Sequence, residues 1–229
     1  MASFKVIRHH AVELVVVFVG VALAFAVENL REDLNERAVG EQYLAGFRAD
    51  LLADLELLHA QKESRRDQLN KARVVLEFFE GRPTSPQQFF EAYFSAIYSR
   101  YTVPNRNTMD EILSSGNLRL IRDADVRSRL LDLYVTYDRI ARIEEHMARD
   151  FDMYLYDPTF SRIRANPLGP WADTPENRRA IDSLFEDIRI ENGFRLLVAN
   201  LEIAKTGLLD ELDLVHSQVE ELLQMIPAG

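Results

Sequence analysis

Hydrophobic residues along the chain recur at spacings of three and four, and nowhere do they alternate one by one. Tyr43, Leu44, Phe47, Leu51, Leu55 and Leu58 follow this spacing, and Leu69, Ala72, Leu76 and Phe79 resume it. That predicts one long helix stopped by Gly81 and Pro83. Gly40 is its first weak point, and the charged run at 61–67 reads as a solvated face. Ser85-Pro-Gln-Gln88 supplies a serine cap, a first-turn proline and a glutamine three residues on, so a helix starts there. It carries Phe89, Phe90, Tyr93, Phe94, Ile97 and Tyr98 as a wide aromatic stripe. Thr108-Met-Asp-Glu111 reads as a second capping box, opening a short helix that ends at a left-handed Gly116.

Asp123 caps a long helix holding Val126, Leu130, Leu133, Tyr134, Tyr137, Ile140, Ile143, Met147, Phe151 and Tyr154, and Pro158 ends it. An irregular loop at about 158–173 surrounds the single tryptophan, Trp171. Asp173-Thr-Pro-Glu176 opens the next helix. After Gly193 a final helix carries Phe194, Leu197, Val198, Leu201, Ala204, Leu208, Leu212, Val215, Val219, Leu222 and Ile226, closed by Pro227. Without strand-like alternation no sheet is expected. The fold class is all-α, a bundle of four to five helices in which three long ones do most of the packing.

One stretch departs from this amphipathic pattern. Residues 14–27, between Glu13 and Glu28, contain no charge. Fourteen residues of helix cover roughly 21 Å, short of a bilayer core of about 30 Å. Val6, Ile7, Ala11 and Val12 extend the apolar character, and a helix from Val6 to Val27 is long enough to span, with Lys5 and Arg8 snorkelling to the headgroups. Lys5, Arg8 and Ala24-Phe25-Ala26 also resemble a cleavable leader. No helix breaker separates the run from Glu28 and the residues after it, which favours a retained transmembrane helix continuing into a long membrane-proximal helix. The positive charges before it and Glu28, Glu32, Asp33 and Glu36 after it orient the N-terminus to the cytoplasm. The organisation expected is a cytoplasmic tail and anchor over 1–30 and an extracytoplasmic bundle over 31–229.

Composition narrows the function. The formal charge of −10 disfavours nucleic acid as a partner. The absence of cysteine excludes disulfides, thiol catalysis and cysteine metal sites. His146 with Asp150 or Glu144 has a spacing that can hold a metal, but the surrounding Glu145, Arg149 and Asp152 make a salt-bridged surface the better reading. His59 and His216 read as solvent-exposed, and His9 and His10 as interfacial. Ser114-Ser115-Gly116 lacks the strand of a nucleophile elbow, and no phosphate loop, dinucleotide fingerprint or zinc-protease motif is present. The expectation is therefore a non-enzyme without metal or cofactor.

Partner signals are clearer. Gly20 with Ala24 and Ala22 with Ala26 are small-residue pairs that let a second membrane helix approach, and Glu13 at the bilayer edge favours a neighbouring donor. Phe90, Phe94, Tyr98 and Trp171 are candidate partner-facing anchors. A pocket lined by Tyr93, Tyr98, Tyr134 and Tyr137 would instead make the bundle a ligand-binding or sensor module, and two inward carboxylates in one cleft would make it a hydrolase.

Glu13 to Glu28 with Asn29, Arg31, Glu32 and Asp33, then Glu41-Gln-Tyr-Leu44 and Asp50-Leu51, resemble an uncharacterised bacterial family. So does Asp110-Glu-Ile-Leu-Ser-Ser-Gly-Asn-Leu-Arg-Leu-Ile121. Its members have one N-terminal anchor and a helical domain of unknown function. A tryptophan often stands there where Leu30 stands here. The resemblance implies a single-pass protein of the bacterial inner membrane with a periplasmic domain. The function expected is an accessory subunit docked on a respiratory, photosynthetic or transport complex.

Overall fold

The computed structural model describes residues 2–97, 101–156, 174–185 and 188–227, with the backbone alone for residues 2–15 and for scattered positions between 151 and 190. The described residues are helical, with no strand among them. In chain order they form α1 (Ala2–Phe79), α2 (Pro86–Ile97), α3 (Asn107–Ser114), a 3₁₀ turn (Asn117–Leu120), α4 (Ala124–Tyr156), α5 (Pro175–Phe185) and α6 (Ile188–Met225).

The long helix α1 is the axis of the molecule. It packs along α6 and α2, α4 packs on α6, and α3 with the 3₁₀ turn leans on α1. Phe47, Leu51 and Leu58 of α1, Phe89 of α2, Ile112 of α3, Leu130 and Leu133 of α4, and Leu208, Leu212 and Val215 of α6 close one core. These are the residues spaced by threes and fours in the sequence, each helix turning one stripe inward.

Several punctuation marks act as expected. Gly81 adopts φ +88°, and the Gly81 and Arg82 amides donate to the Phe78 and Glu77 carbonyls, a Schellman end to α1. The Ser85 amide donates to Gln88 Oε1 at 3.1 Å and the Gln88 amide to Ser85 Oγ at 3.2 Å, a reciprocal capping box. Gly116 is left-handed at φ +70°. Asp123 Oδ1 accepts from the Asp125 and Val126 amides at the start of α4.

Others act differently. Gly40 does not weaken α1: it is buried in mid-helix, and a Cβ there would lie 2.4 Å from the Leu120 carbonyl oxygen, so it permits close packing of the 3₁₀ turn. Gly193 likewise lies inside α6 rather than before it, because the helix begins at Ile188. Thr108 is no cap. α3 begins at Asn107, and the Thr108 amide donates to Asp50 Oδ2 at 3.0 Å, so a carboxylate from α1 satisfies the helix start. The run at 61–67 is a solvated face only in part: Glu63, Arg66 and Asp67 are exposed, while Gln61 and Arg65 are buried. Trp171, Tyr98, Asp173 and the loop at about 158–173 lie outside the described residues.

Candidate functional site

Two features stand apart from ordinary core packing. The first is the N-terminal part of α1. Every side chain from Val16 to Glu32 is exposed, among them Val16, Val17, Phe18, Leu23, Phe25, Val27 and Leu30. Nothing lies within 4 Å of a Cβ built on Gly20, and Ala22, Ala24 and Ala26 are equally open, while the side chain of Glu13 is outside the described residues. A helix apolar all round in water exposes surface that burial would stabilise by about 25 cal/mol per Å². Among the described residues no helix is long and apolar enough to cross a membrane. The exposed apolar residues Val16 to Val27 cover only about 18 Å.

Beyond Val27 the helix becomes polar and meets the bundle through ion pairs. Arg122 binds Asp33, Arg37 approaches it at 2.8 Å, and Arg119 reaches Glu36 at 2.8 Å. The Arg122 hydrogen bond holds the Asp33 carboxyl below the usual carboxylate range. An open groove of about 360 Å³ lies beside them, lined by Arg37, Gly40, Glu41, Leu44, Leu120, Arg122 and Asp123.

The second feature is a layer of buried charge across the middle of the bundle. Arg65 of α1 is 1% exposed and donates to Glu144 Oε1 of α4 at 2.8 Å. Glu144 also accepts from the Thr102 amide and hydroxyl, both at 2.8 Å. Lys205 of α6 is 0% exposed, and its Nζ donates to Gln68 Oε1 at 2.7 Å. Burial, with the Arg65 guanidinium adding to it, lowers the Lys205 amine to about 7, and the Glu144 carboxylate opposes that shift.

Nearby, Asp54 Oδ1 accepts from the Asn105 amide and Oδ2 from the Tyr137 hydroxyl, each at 2.8 Å, while the Tyr134 hydroxyl donates to the Asn105 carbonyl at 2.9 Å. Burial raises the Asp54 carboxyl, opposed by the Asn105 and Tyr137 donors. Burial also raises the hydroxyls of Tyr93, Tyr134 and Tyr137. Asp54, Asn105, Tyr134 and Tyr137 together tie α1 to the connector before α3 and to α4. None of them lines the groove.

The remaining candidates separate. Tyr134 and Tyr137 pack together with ring centroids 5.9 Å apart, whereas Tyr93 belongs to an aromatic cluster with Phe89 and Phe194, so these three tyrosines share no pocket. Phe90 is buried in that cluster, and Phe94 lies against it 41% exposed. Glu144 leaves the His146 group for the buried layer. His146 pairs with Asp150 at 3.5 Å on the surface, and His59 lies 3.9 Å from Glu63. His216 is half-buried rather than open, 3.5 Å from Glu220. Among the described residues no group of histidines and carboxylates could hold a metal ion.

Sequence reasoning missed Arg65, Gln68 and Lys205. Their signal is phase: Leu58, Gln61, Arg65, Gln68 and Ala72 keep the spacing of the core stripe, as do Leu201, Lys205 and Leu208. A polar residue in a core register position marks a buried network.

Residues from separate segments also meet. The Tyr43 hydroxyl lies 3.3 Å from Ser115 Oγ and accepts from Asn117 Nδ2 at 3.1 Å. No protein-family model, curated protein or solved structure matches the chain.

Proposed function

We propose that the chain is a membrane-anchored, non-catalytic accessory subunit of a larger membrane complex, respiratory, photosynthetic or transport. Residues 6–27 cross the inner membrane with the N-terminus cytoplasmic, and the helical bundle projects into the periplasm. The observation that carries this reading is the uncovered apolar run of α1, which no part of the described bundle shields. Twenty-two helical residues reach about 33 Å, matching a hydrocarbon core of about 30 Å, and a bilayer is the solvent in which an all-round apolar helix is stable. The ion pairs of Asp33 and Glu36 then fix the domain just outside the headgroups.

The non-catalytic part rests on Glu144 and Lys205 being buried and engaged with Arg65, Thr102 and Gln68, away from the groove. The test is purification of the full chain from its native membranes in mild detergent, after an alkaline carbonate wash. Retention in the washed membranes and migration with larger subunits is the expected result. Release by carbonate overturns the anchor. Retention followed by migration alone overturns the accessory role.

A further inference from the structure

Between Glu28 and Arg37 every residue is polar except Leu30 and Leu34, and these two are 60% and 56% exposed. They do not face the bundle. Asp33 and Glu36, which take Arg122 and Arg119, lie roughly 100° and 160° round the helix from Leu34, while Leu30 lies only about 40° from it. Leu30 and Leu34 also continue a longer series. Val16, Gly20, Leu23, Val27, Leu30 and Leu34 are separated by alternating four and three residues, and all are exposed. That is a heptad seam with Gly20, Val27 and Leu34 at one core position and Val16, Leu23 and Leu30 at the other. The seam runs without a break from the apolar segment into the polar one.

We propose that a second copy of this chain covers this seam, forming a parallel, in-register pair of α1 helices through and just beyond the bilayer. The proposal rests on the membrane placement of residues 6–27. Two copies anchored in the same orientation lie parallel at equal depth, so each seam residue meets its own counterpart. The flanking residues that would face one another across the pair are Ala26 with Arg31 and Asp33 with Ala38, so no like charges oppose. The next seam positions are Arg37 and Glu41, where like charges would meet, and the zipper ends there.

The contact strip is about 28 Å long and about 10 Å wide, roughly 600 Å² over both copies, half of what a stable complex in free solution needs. Confinement in one bilayer supplies the remaining advantage as effective concentration. Ala22 lies away from the seam and stays free for a host helix.

The chain contains no cysteine, so single-cysteine crosslinking in the full protein is unambiguous. Leu30→Cys, Leu34→Cys, Glu32→Cys and Asn35→Cys are each oxidised in carbonate-washed membranes. Disulfide-linked product of twice the chain's mass is expected from Leu30→Cys and Leu34→Cys and not from Glu32→Cys or Asn35→Cys. Equal product from all four is collision and overturns the pair. So does absence of product from the seam positions while the chain stays in the washed membranes, or a seam product of any other mass. Release of the chain by carbonate is a different failure, since it removes the anchor itself.

Discussion

Lys205 offers the sharpest test of the buried layer. Its amine, ordinarily near 10.5, is lowered to about 7 by burial and by Arg65. A folded-state pKa below the unfolded one means that the folded protein releases its proton first. Between about pH 7 and pH 10 the unfolded chain therefore binds more protons at this site, and stability rises with pH by about 1.4 kcal/mol per unit. Below pH 7 both states carry the proton, and the full cost of burying an ammonium, about 5 kcal/mol, is present.

Lys205→Met removes that cost together with the hydrogen bond to Gln68. The lost bond shifts the whole curve by about 1–3 kcal/mol irrespective of pH. The slope of the difference, not its offset, is the diagnostic. Denaturant unfolding of the full chain in detergent, followed by helical circular dichroism from about pH 6 to pH 9, reads it. Burial keeps the tyrosine hydroxyls protonated across this window, and Asp54 is common to both proteins, so its contribution cancels in the difference. The stability of Lys205→Met relative to the parent should fall steadily above pH 7. Parallel curves across the window would refute the reasoning, because they would mean that the amine titrates alike in both states.

Two further substitutions probe the contacts that position the domain. Gly40→Ala drives a methyl to 2.4 Å from the Leu120 carbonyl oxygen, a backbone atom that cannot swing aside. A loss of about 1–3 kcal/mol in urea unfolding is expected, against little change for Ala45→Gly on the exposed face beyond its helix propensity. Tyr137→Phe deprives the Asp54 carboxylate of one of its two donors, so the protein should lose about 1–3 kcal/mol near neutral pH. That loss should shrink as acid protonates Asp54, whose folded-state pKa already lies above its ordinary value. A pH-independent loss would assign the effect to packing instead.

The helices were legible because their signals are local. Repeats of three and four, Gly81 followed by Pro83, the Ser85 box and the Asp123 cap each act within a turn or two of sequence, and each stands in the structure. What the sequence hid was long-range. Gly40 looks like a helix weakness until Leu120, eighty residues on, is seen against it. Thr108 looks like a cap until Asp50 supplies the acceptor. Arg65 and its charged neighbours look like a solvated face, although Arg65 keeps the phase of Leu58 and Ala72, because helical charge runs usually meet water and only a partner such as Glu144 overrides that. The apolar run was visible at once, since no tertiary contact is needed to see fourteen uncharged residues. Its exposure from Val16 to Val27 is what the structure adds.

The buried layer has a consequence for where the domain sits on its rod. The α1, α4 and α6 helices meet along stripes of leucine, isoleucine and valine that look much the same after a slip of seven residues. Such a slip of α6 would carry Val198 or Leu212 to the level of Lys205 and leave Gln68 facing an apolar side chain. A slip of α4 would separate Glu144 from Arg65, and an unpaired buried charge costs about 3–5 kcal/mol. The observed register pairs Arg65 with Glu144 and Lys205 with Gln68, and a heptad slip of either helix breaks one of these pairs. One heptad corresponds to about 10 Å along α1, enough to draw Arg122 and Arg119 away from Asp33 and Glu36 and Leu120 away from Gly40. The layer that lowers stability below that of an all-apolar core thus fixes the height of the bundle above the apolar end of α1.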